Sequence, residues 1–184
     1  MKKAVITGST KLAKSIIFAD SDIMVDSVRV ETPIEWHKYD IFINCAHVDF
    51  EQVKLLEEAI QARGNDENFT IVNISSRAAR PNISPGKLYA SQKAALNHMA
   101  DNYKFNSDIR CNIQTINFGL LNHEYVSSIS YEEAAKWVHT VIKNPTISDI
   151  TLQHPENYNQ VQACLLYTSP SPRDVEESRM PSSA

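Results

Sequence analysis

Short apolar runs alternate with stretches of helical periodicity over the first 152 residues of the chain. The apolar runs predict six β-strands, at residues 3–7, within 23–30, and at 40–46, 71–76, 113–119 and 146–152. Apolar residues at helical spacing predict four helices between them, one through residues 12–17, one over 50–63, one beginning after Gly86 and one over 131–142. Strands that alternate with helices are typical of a parallel sheet with crossover helices, so the sequence predicts an α/β fold.

The most specific chemical pattern is a serine followed, thirteen residues later, by Tyr-Ala-Ser-Gln-Lys. Ser76 ends a predicted strand, and Tyr89 and Lys93 are four residues apart, a spacing that places two side chains on one face of a helix. A phenol has a pKa of about 10, but a cation held nearby lowers that pKa and makes a phenol a usable acid or base. A serine hydroxyl beside it can orient a substrate carbonyl. The three residues therefore predict a proton relay.

This pattern resembles the Ser…Tyr-x-x-x-Lys signature of the short-chain dehydrogenase/reductase family. Further segments resemble that family in the same order: residues 3–10 its first strand and cofactor turn, 40–46 its fourth strand with the Asn-Asn-Ala-Gly segment, 71–76 its fifth strand and 113–119 its sixth. The resemblance implies a Rossmann-like, doubly wound parallel sheet in a single domain. Because residues 31–39 are too few for the helix, strand and helix that the family places there, we expect a sheet of reduced size.

The resemblance also implies an NAD(P)-dependent oxidoreductase that passes hydride between nicotinamide and a carbonyl or alcohol substrate. Tyr89 would exchange the proton, Ser76 would hold the substrate oxygen, and Lys93 would favour the phenolate while bonding the nicotinamide ribose. Homo-oligomer assembly through the helices that begin near residues 50 and 89 is a further implication. The implied cofactor-binding residues are Gly8, Ser9, Thr10, Lys11, Leu12, Asn44, Ala46, Tyr89, Lys93 and Gly119.

The cofactor turn departs from the family pattern Thr-Gly-x-x-x-Gly-x-Gly. Thr7 and Gly8 are kept, whereas Leu12 and Lys14 replace the two later glycines. Leu12 is expected to point a branched side chain at the place where the backbone should approach the pyrophosphate. Hydrogen bonds and charge from residues 9–11 are expected to compensate.

Two residues bear on which dinucleotide is bound. Lys11 precedes the second glycine position, where a basic residue in this family favours the 2′-phosphate of NADP. Glu31, if it ends the second strand, would instead accept hydrogen bonds from the ribose hydroxyls of NAD. For each residue a solvated side chain without a ligand is the favoured interpretation, and between the two dinucleotides the balance slightly favours NADP.

Three other positions near the predicted site carry weaker signals. Asp49 stands where the family places a catalytic asparagine, 27 residues before Ser76, and is expected to cap the following helix. Asn44 is expected to brace its strand against a neighbour. His47 replaces a glycine beside the cofactor, although an ordinary surface or core histidine is the favoured interpretation. Since the six histidines are scattered and do not cluster with carboxylates, no metal site is expected.

The end of the chain does not resemble natural protein. Residues 164–174 and 178–184 match, in one reading frame, translations of the two ends of a transposase adapter used to prepare short-read sequencing libraries. We therefore predict a domain over residues 1–163 and an adapter-derived tail over residues 164–184, with the native C-terminus lost. A Ser/Pro-rich disordered tail fits the composition but not the two matches.

Composition narrows the classes of function. A formal net charge of −4 gives no electrostatic case for binding nucleic acid or an anionic membrane. No apolar stretch approaches the roughly 20 residues that span a bilayer. The first strand begins almost at residue 1 and leaves no room for a signal peptide. Cys45 and Cys111, both expected in buried strands, make no disulfide framework, so we predict a cytoplasmic protein.

Two alternatives to an oxidoreductase stay open. The lost glycines and the shortened chain favour a degenerate relative that binds a dinucleotide, or only a partner protein, without catalysis. Retention of Ser76, Tyr89 and Lys93 argues against that alternative. A helix with the sequence Leu-Leu-Glu-Glu-Ala at residues 55–59 faintly resembles nucleotide-sugar epimerases and dehydratases, but the chain lacks their substrate domain, so this hypothesis ranks last.

Overall fold

The computed structural model describes residues 1–19, 22–81, 86–106, 108–124 and 126–156 of the chain. The predicted adapter-derived tail at residues 164–184 lies outside these residues and stays a prediction. Within the described ranges, none of the helices combines the length and the apolar character that crossing a membrane requires.

Six strands form one sheet in which every neighbouring pair is parallel. The strands are β1 (Lys2–Thr7), β2 (Ile23–Val28), β3 (Ile41–Asn44), β4 (Thr70–Ser76), β5 (Asn112–Phe118) and β6 (Asp149–Leu152). The helices are α1 (Lys11–Phe18), α2 (Glu51–Arg63), α3 (Lys87–Lys104) and α4 (Tyr131–Lys143). The strand order is β2-β1-β3-β4-β5-β6. This arrangement confirms the predicted doubly wound, Rossmann-like α/β domain.

The last strand begins three residues later than predicted, at Asp149, because the segment before it is held as a turn. Ile147 N donates to Asn144 O at 3.0 Å. The buried side chain of Gln114 donates through Nε2 to both of those residues' carbonyl oxygens, at 3.1 Å for Asn144 and 2.9 Å for Ile147. The buried Gln114 side chain on β5 thus holds the turn that precedes β6.

The sheet is covered on both faces, which explains why its strands are nearly continuous apolar runs. Helices α1 and α4 pack together on one face, over inward-pointing residues such as Ile43 and Val72. Helices α2 and α3 cover the other face, over residues such as Phe42 and Ile71. Thr10 caps α1 by accepting from Ala13 N at 3.3 Å, and Ser130 caps α4 as its sequence predicts.

The reduced size of the sheet is confirmed, and a short segment takes the place of the missing elements. A 3₁₀ turn at Trp36–Lys38 links β2 to β3. The Trp36 ring packs edge-on against Phe42, with ring centroids 4.9 Å apart. Arg63 at the end of α2 donates to Trp36 O at 2.9 Å and to Tyr39 O at 3.0 Å. This connection therefore covers the apolar face that a helix would otherwise cover.

The order of the strands reverses at β1, since the chain passes outward to β2 and returns to β3 on the opposite side. In open α/β sheets, ligands bind beyond the carboxyl ends of the strands at such a reversal. The fold therefore locates the candidate site where β1, β3 and β4 end.

Candidate active site

Helix α3 carries Tyr89 and Lys93 one turn apart, in its first two turns. Tyr89 is 37% exposed, whereas Lys93 is only 3% exposed. The Lys93 ammonium nitrogen lies 5.7 Å from the centroid of the Tyr89 ring. The helix thus brings a solvent-accessible phenol and a buried cation together, as the spacing of the two residues predicts.

The Lys93 ammonium is held by two acceptors at the end of β4 and the start of α2. Its Nζ donates to Gln52 Oε1 at 2.6 Å and to Ile74 O at 2.8 Å. Burial lowers the pKa of Lys93 from 10.5 to about 8, because removal from water penalises the charged form. Lys93 therefore remains mainly charged at neutral pH and loses its proton in mildly alkaline solution.

Gln52, which the sequence argument overlooked, is the residue that joins Lys93 to the end of β3. Its Nε2 donates to Asn44 O at 2.8 Å and to Ile74 O at 3.1 Å. A signal was present in the sequence, since positions 52, 55, 56 and 59 form the buried stripe of α2. A glutamine inside an apolar stripe is a buried polar group that requires hydrogen-bond partners. Here those partners are Lys93 and the ends of β3 and β4, at the candidate site.

His47 lies against the candidate acid–base residue. Its ring contacts the Tyr89 ring edge-on, with centroids 4.7 Å apart and an interplanar angle of 83°. The pKa of His47 lies below its ordinary value, chiefly because of partial burial and next because of the Lys93 ammonium, although Asp49 and hydrogen bonding to two glutamines oppose the shift. A neutral imidazole beside the phenol is therefore the form expected at neutral pH.

Ser76 is the last residue of β4, where it pairs with Phe118 of β5. Its Oγ accepts from Ala78 N at 3.1 Å and caps the 3₁₀ turn Arg77–Ala79. That turn packs against α3, the helix that carries Tyr89. Ser76 thus ends β4 and caps the following turn at the carboxyl edge of the sheet, and its contact with a substrate stays a prediction.

The turn after β1 is fitted closely against the end of β3. Thr7 Oγ1 accepts from Cys45 N at 3.0 Å and from Ala46 N at 3.1 Å. Gly8 has a φ of +90°, and a Cβ built on it would lie 2.8 Å from Ala46 Cβ. This contact is far shorter than side chains tolerate, so only glycine fits at position 8. Of the other predicted cofactor residues, Ser9, Thr10 and Lys11 are exposed at the same end of α1.

One expectation about this region is wrong, and the condition on which a role for Glu31 in NAD binding depended is not met. Leu12 does not point toward the crevice, because its side chain is 7% exposed and packs in the core with Ala13 and Ile16. Glu31 does not end the second strand, because β2 ends at Val28 and Glu31 is an exposed residue of the following turn. Leu12 follows the packing of α1 in the core, whereas β2 ends where its pairing with β1 ends.

Asn44 has the bracing contacts that its strand position predicts. The side chain is fully buried, and its Nδ2 donates to Gln52 O at 2.8 Å and to Asn73 Oδ1 at 3.1 Å. Asp49, by contrast, does not cap α2: Phe50 occupies the cap position without a side-chain hydrogen bond. Asp49 instead adopts a φ of 43° in the turn before the helix.

Gly119 and the two cysteines occupy strand ends. Gly119 N donates to Leu152 O at 2.8 Å, which ties β5 to β6 beyond the site. Cys45 and Cys111 are buried free thiols just outside β3 and β5 rather than inside them. Burial raises the pKa of the Cys45 thiol to about 11, so it is neutral beside Lys93 at physiological pH.

We expect Gly8→Ala to destabilise the protein by roughly 2–4 kcal/mol, since it adds both backbone strain and a side-chain overlap. Urea unfolding should show a lower midpoint with an unchanged slope. The matched variant Gly8→Ala with Ala46→Gly removes the overlap but keeps the strain, so it should recover part of the loss. Equal midpoints for Gly8→Ala and the original chain would contradict the close contact.

No protein-family model and no curated protein sequence matches this chain. Solved structures do resemble it. Serine dehydrogenase from Escherichia coli has a TM-score of 0.65 at 16% identity, over 83% of this chain and 97% of that one. A short chain dehydrogenase from Burkholderia cenocepacia J2315 in complex with NADP has a TM-score of 0.66 at 14% identity, over 90% and 93%.

A 4-hydroxyisoleucine dehydrogenase complexed with NADH gives a TM-score of 0.65 at 14% identity, over 83% of this chain and 97% of that one. Identities this low establish a shared fold and leave chemistry to be argued from the site. The chain therefore shares a Rossmann-like single-domain fold with these dehydrogenase structures.

Proposed function

We propose that this protein is an NAD(P)-dependent oxidoreductase acting on a carbonyl or alcohol. The observation that carries the proposal is the arrangement of Tyr89 above a buried, charged Lys93 at the carboxyl edge of the sheet. The Lys93 Nζ lies 5.7 Å from the centroid of the Tyr89 ring. A structural role alone gives little reason to bury an ammonium group, because burial of a charge is costly. A charge placed beside a solvent-accessible phenol has a chemical use.

Each of the three residues would perform a separate task. Tyr89 would give a proton to the substrate oxygen during reduction and remove it during oxidation. Lys93 would stabilise the negative charge that develops on the phenol oxygen, and its remaining donor would bind a ribose hydroxyl. Ser76 would hold the substrate oxygen beside Tyr89. A nicotinamide dinucleotide supplies or accepts the hydride when bound.

The residues around the turn after β1 fit such a dinucleotide. Gly8, which the close contact with Ala46 requires, leads the backbone into the first turn of α1, and in the space beside that turn backbone N–H groups and the helix dipole favour a phosphate. Leu12, which replaces a family glycine, is directed into the core and so does not fill this space. Lys11 is exposed in the same turn and supports the slight preference for NADP.

A titration of NADPH and NADH into the full chain, followed by nicotinamide fluorescence, tests the proposal. We expect saturable binding of both, with NADPH tighter. Lys11→Gln should weaken NADPH binding and leave NADH binding nearly unchanged, because only NADPH carries the 2′-phosphate. If a folded protein binds neither, the oxidoreductase proposal fails and the non-catalytic alternative replaces it. Homo-oligomer assembly and a cytoplasmic location stay predictions.

A further inference from the structure

The carboxamide of Gln52 is buried at the centre of the candidate site. Its side chain reaches from the first turn of α2 to two strand ends and to α3, and the residue is only 2% exposed. One amide oxygen and one amide nitrogen together make three hydrogen bonds, at 2.6 Å to Lys93 Nζ, 2.8 Å to Asn44 O and 3.1 Å to Ile74 O, in addition to the interaction of the side chain with His47. The carboxamide therefore couples the position of Lys93 to the ends of β3 and β4.

The chemistry of these partners fixes the orientation of the carboxamide. Two of the partners are carbonyl oxygens, which only accept, and the third is an ammonium, which only donates. The reversed orientation would place the amide NH₂ against the ammonium and the amide oxygen against two carbonyls. The nitrogen must therefore face the strand ends and the oxygen must face Lys93.

The ammonium of Lys93 has three donors, and two of them are used by Gln52 Oε1 and Ile74 O. Among the residues that the structure describes, the third donor has no acceptor and is available to a ligand. We propose that Gln52 is a positioning residue, whose carboxamide both orients the Lys93 ammonium toward the ligand side and keeps it charged in a buried place. This inference rests on the proposed function, because the proposed function gives the Lys93 ammonium a ligand to bind.

Neutral dipoles stabilise the charged form of Lys93. Among the residues that the structure describes, no carboxylate lies within ion-pair distance of Lys93. The titratable groups that interact with it are Tyr89 on its own helix and Cys45 and His47 beyond β3, while Asp49, before α2, interacts with His47. The Cys45 thiol is neutral, and the Lys93 ammonium disfavours the cationic form of the His47 imidazole. The Gln52 oxygen and the Ile74 carbonyl are thus the groups that replace water around the charge.

Replacement of Gln52 by methionine keeps the length and burial of the side chain and removes its acceptor. We expect the pKa of Lys93 to fall below its value of about 8, by about 1 to 2 units, which is the strength of a hydrogen bond to a charged group expressed as a shift. The measurement is an NMR titration of ¹³C-lysine-labelled protein from pH 5.5 to 10. The Lys93 signal is assigned by its absence from Lys93→Met.

Two control variants separate positioning from general loosening of the helix. Ile60→Ala, two turns further along α2, removes buried apolar volume and should lower the thermal midpoint without moving the Lys93 titration. Gln61→Met makes the same substitution on the exposed face and should change neither quantity. If Gln52→Met does not fold, Gln52→Asn keeps the amide but is too short for all three bonds, and should lower the pKa in the same direction.

An unchanged Lys93 titration in Gln52→Met or Gln52→Asn would overturn the inference, as would an equal shift in Ile60→Ala. The NADPH titration of the unsubstituted chain decides the proposed function separately. If Lys93 responds to Gln52 as expected but folded protein binds no NADPH, the hydrogen-bond assignment stands and the oxidoreductase proposal fails.

Discussion

Tyr89→Phe should strongly reduce turnover while leaving the fold intact. The substitution removes one hydroxyl from a side chain that is 37% exposed, so the free energy of unfolding should change by no more than about 0.5 kcal/mol. The loss of a positioned acid–base group should reduce kcat by about 10²–10⁴-fold. The measurement is NADPH oxidation with the first carbonyl compound that supports turnover by the unsubstituted chain, alongside the NADPH dissociation constant.

Tyr103→Phe is the matched control, because Tyr103 lies on the same helix and packs against the α2–α3 core away from the crevice. It should keep full turnover. Retained turnover in Tyr89→Phe would remove Tyr89 from the mechanism and with it the main support for the proposed function.

Lys93→Met should reduce turnover by on the order of 10²-fold or more, because the phenol loses its neighbouring cation. It should also change how stability depends on pH, which a purely catalytic effect would not do. The folded-state pKa of Lys93 is about 8, below its ordinary value of 10.5. Below pH 8 both states carry the charge, and the folded state bears the full cost of burying it.

Between pH 8 and 10.5 the folded chain releases this proton while the unfolded chain keeps it, so stability rises with pH. The rise is complete above pH 10.5, where both states are neutral. A difference of about 2.5 units corresponds to about 3 kcal/mol. Urea unfolding from pH 7 to 10 should therefore show the original chain gaining stability relative to Lys93→Met. Parallel pH profiles for the two proteins would contradict the buried charge.

Much of the fold follows from local patterns in the sequence. Apolar runs between helical stretches specified six strands and four helices, and both faces of a parallel sheet demand such runs. The spacing of Tyr89 and Lys93 specified a shared helix face, because i and i+4 residues are neighbours on any α-helix. These features depend on the spacing of side chains within a single strand or helix, so they can be predicted without knowing which other strands and helices pack against it.

Apart from the local error about Asp49, which does not cap α2, the features that sequence reasoning missed depend on contacts between distant segments. The direction of Leu12 is set by the packing of α1 against α4, more than a hundred residues away in the chain. The end of β2 is set by its register with β1, which runs from Lys2–Ile23 to Thr7–Val28. Gln52 gains its role from two strand ends and a helix that are separate in sequence. Spacing rules cannot supply such information, although a polar residue in a buried stripe identifies where to look.

The all-parallel sheet has a consequence for how the candidate site forms. Parallel neighbours cannot be joined by hairpins, so every strand pairing closes a long loop, and the entropy of closure is lost before contacts compensate it. The candidate site draws on the ends of three strands and the first two turns of three helices. Because these segments are distant in sequence, we expect the site to be assembled late in folding. Disruption of a central strand pairing should therefore abolish ligand binding at the site.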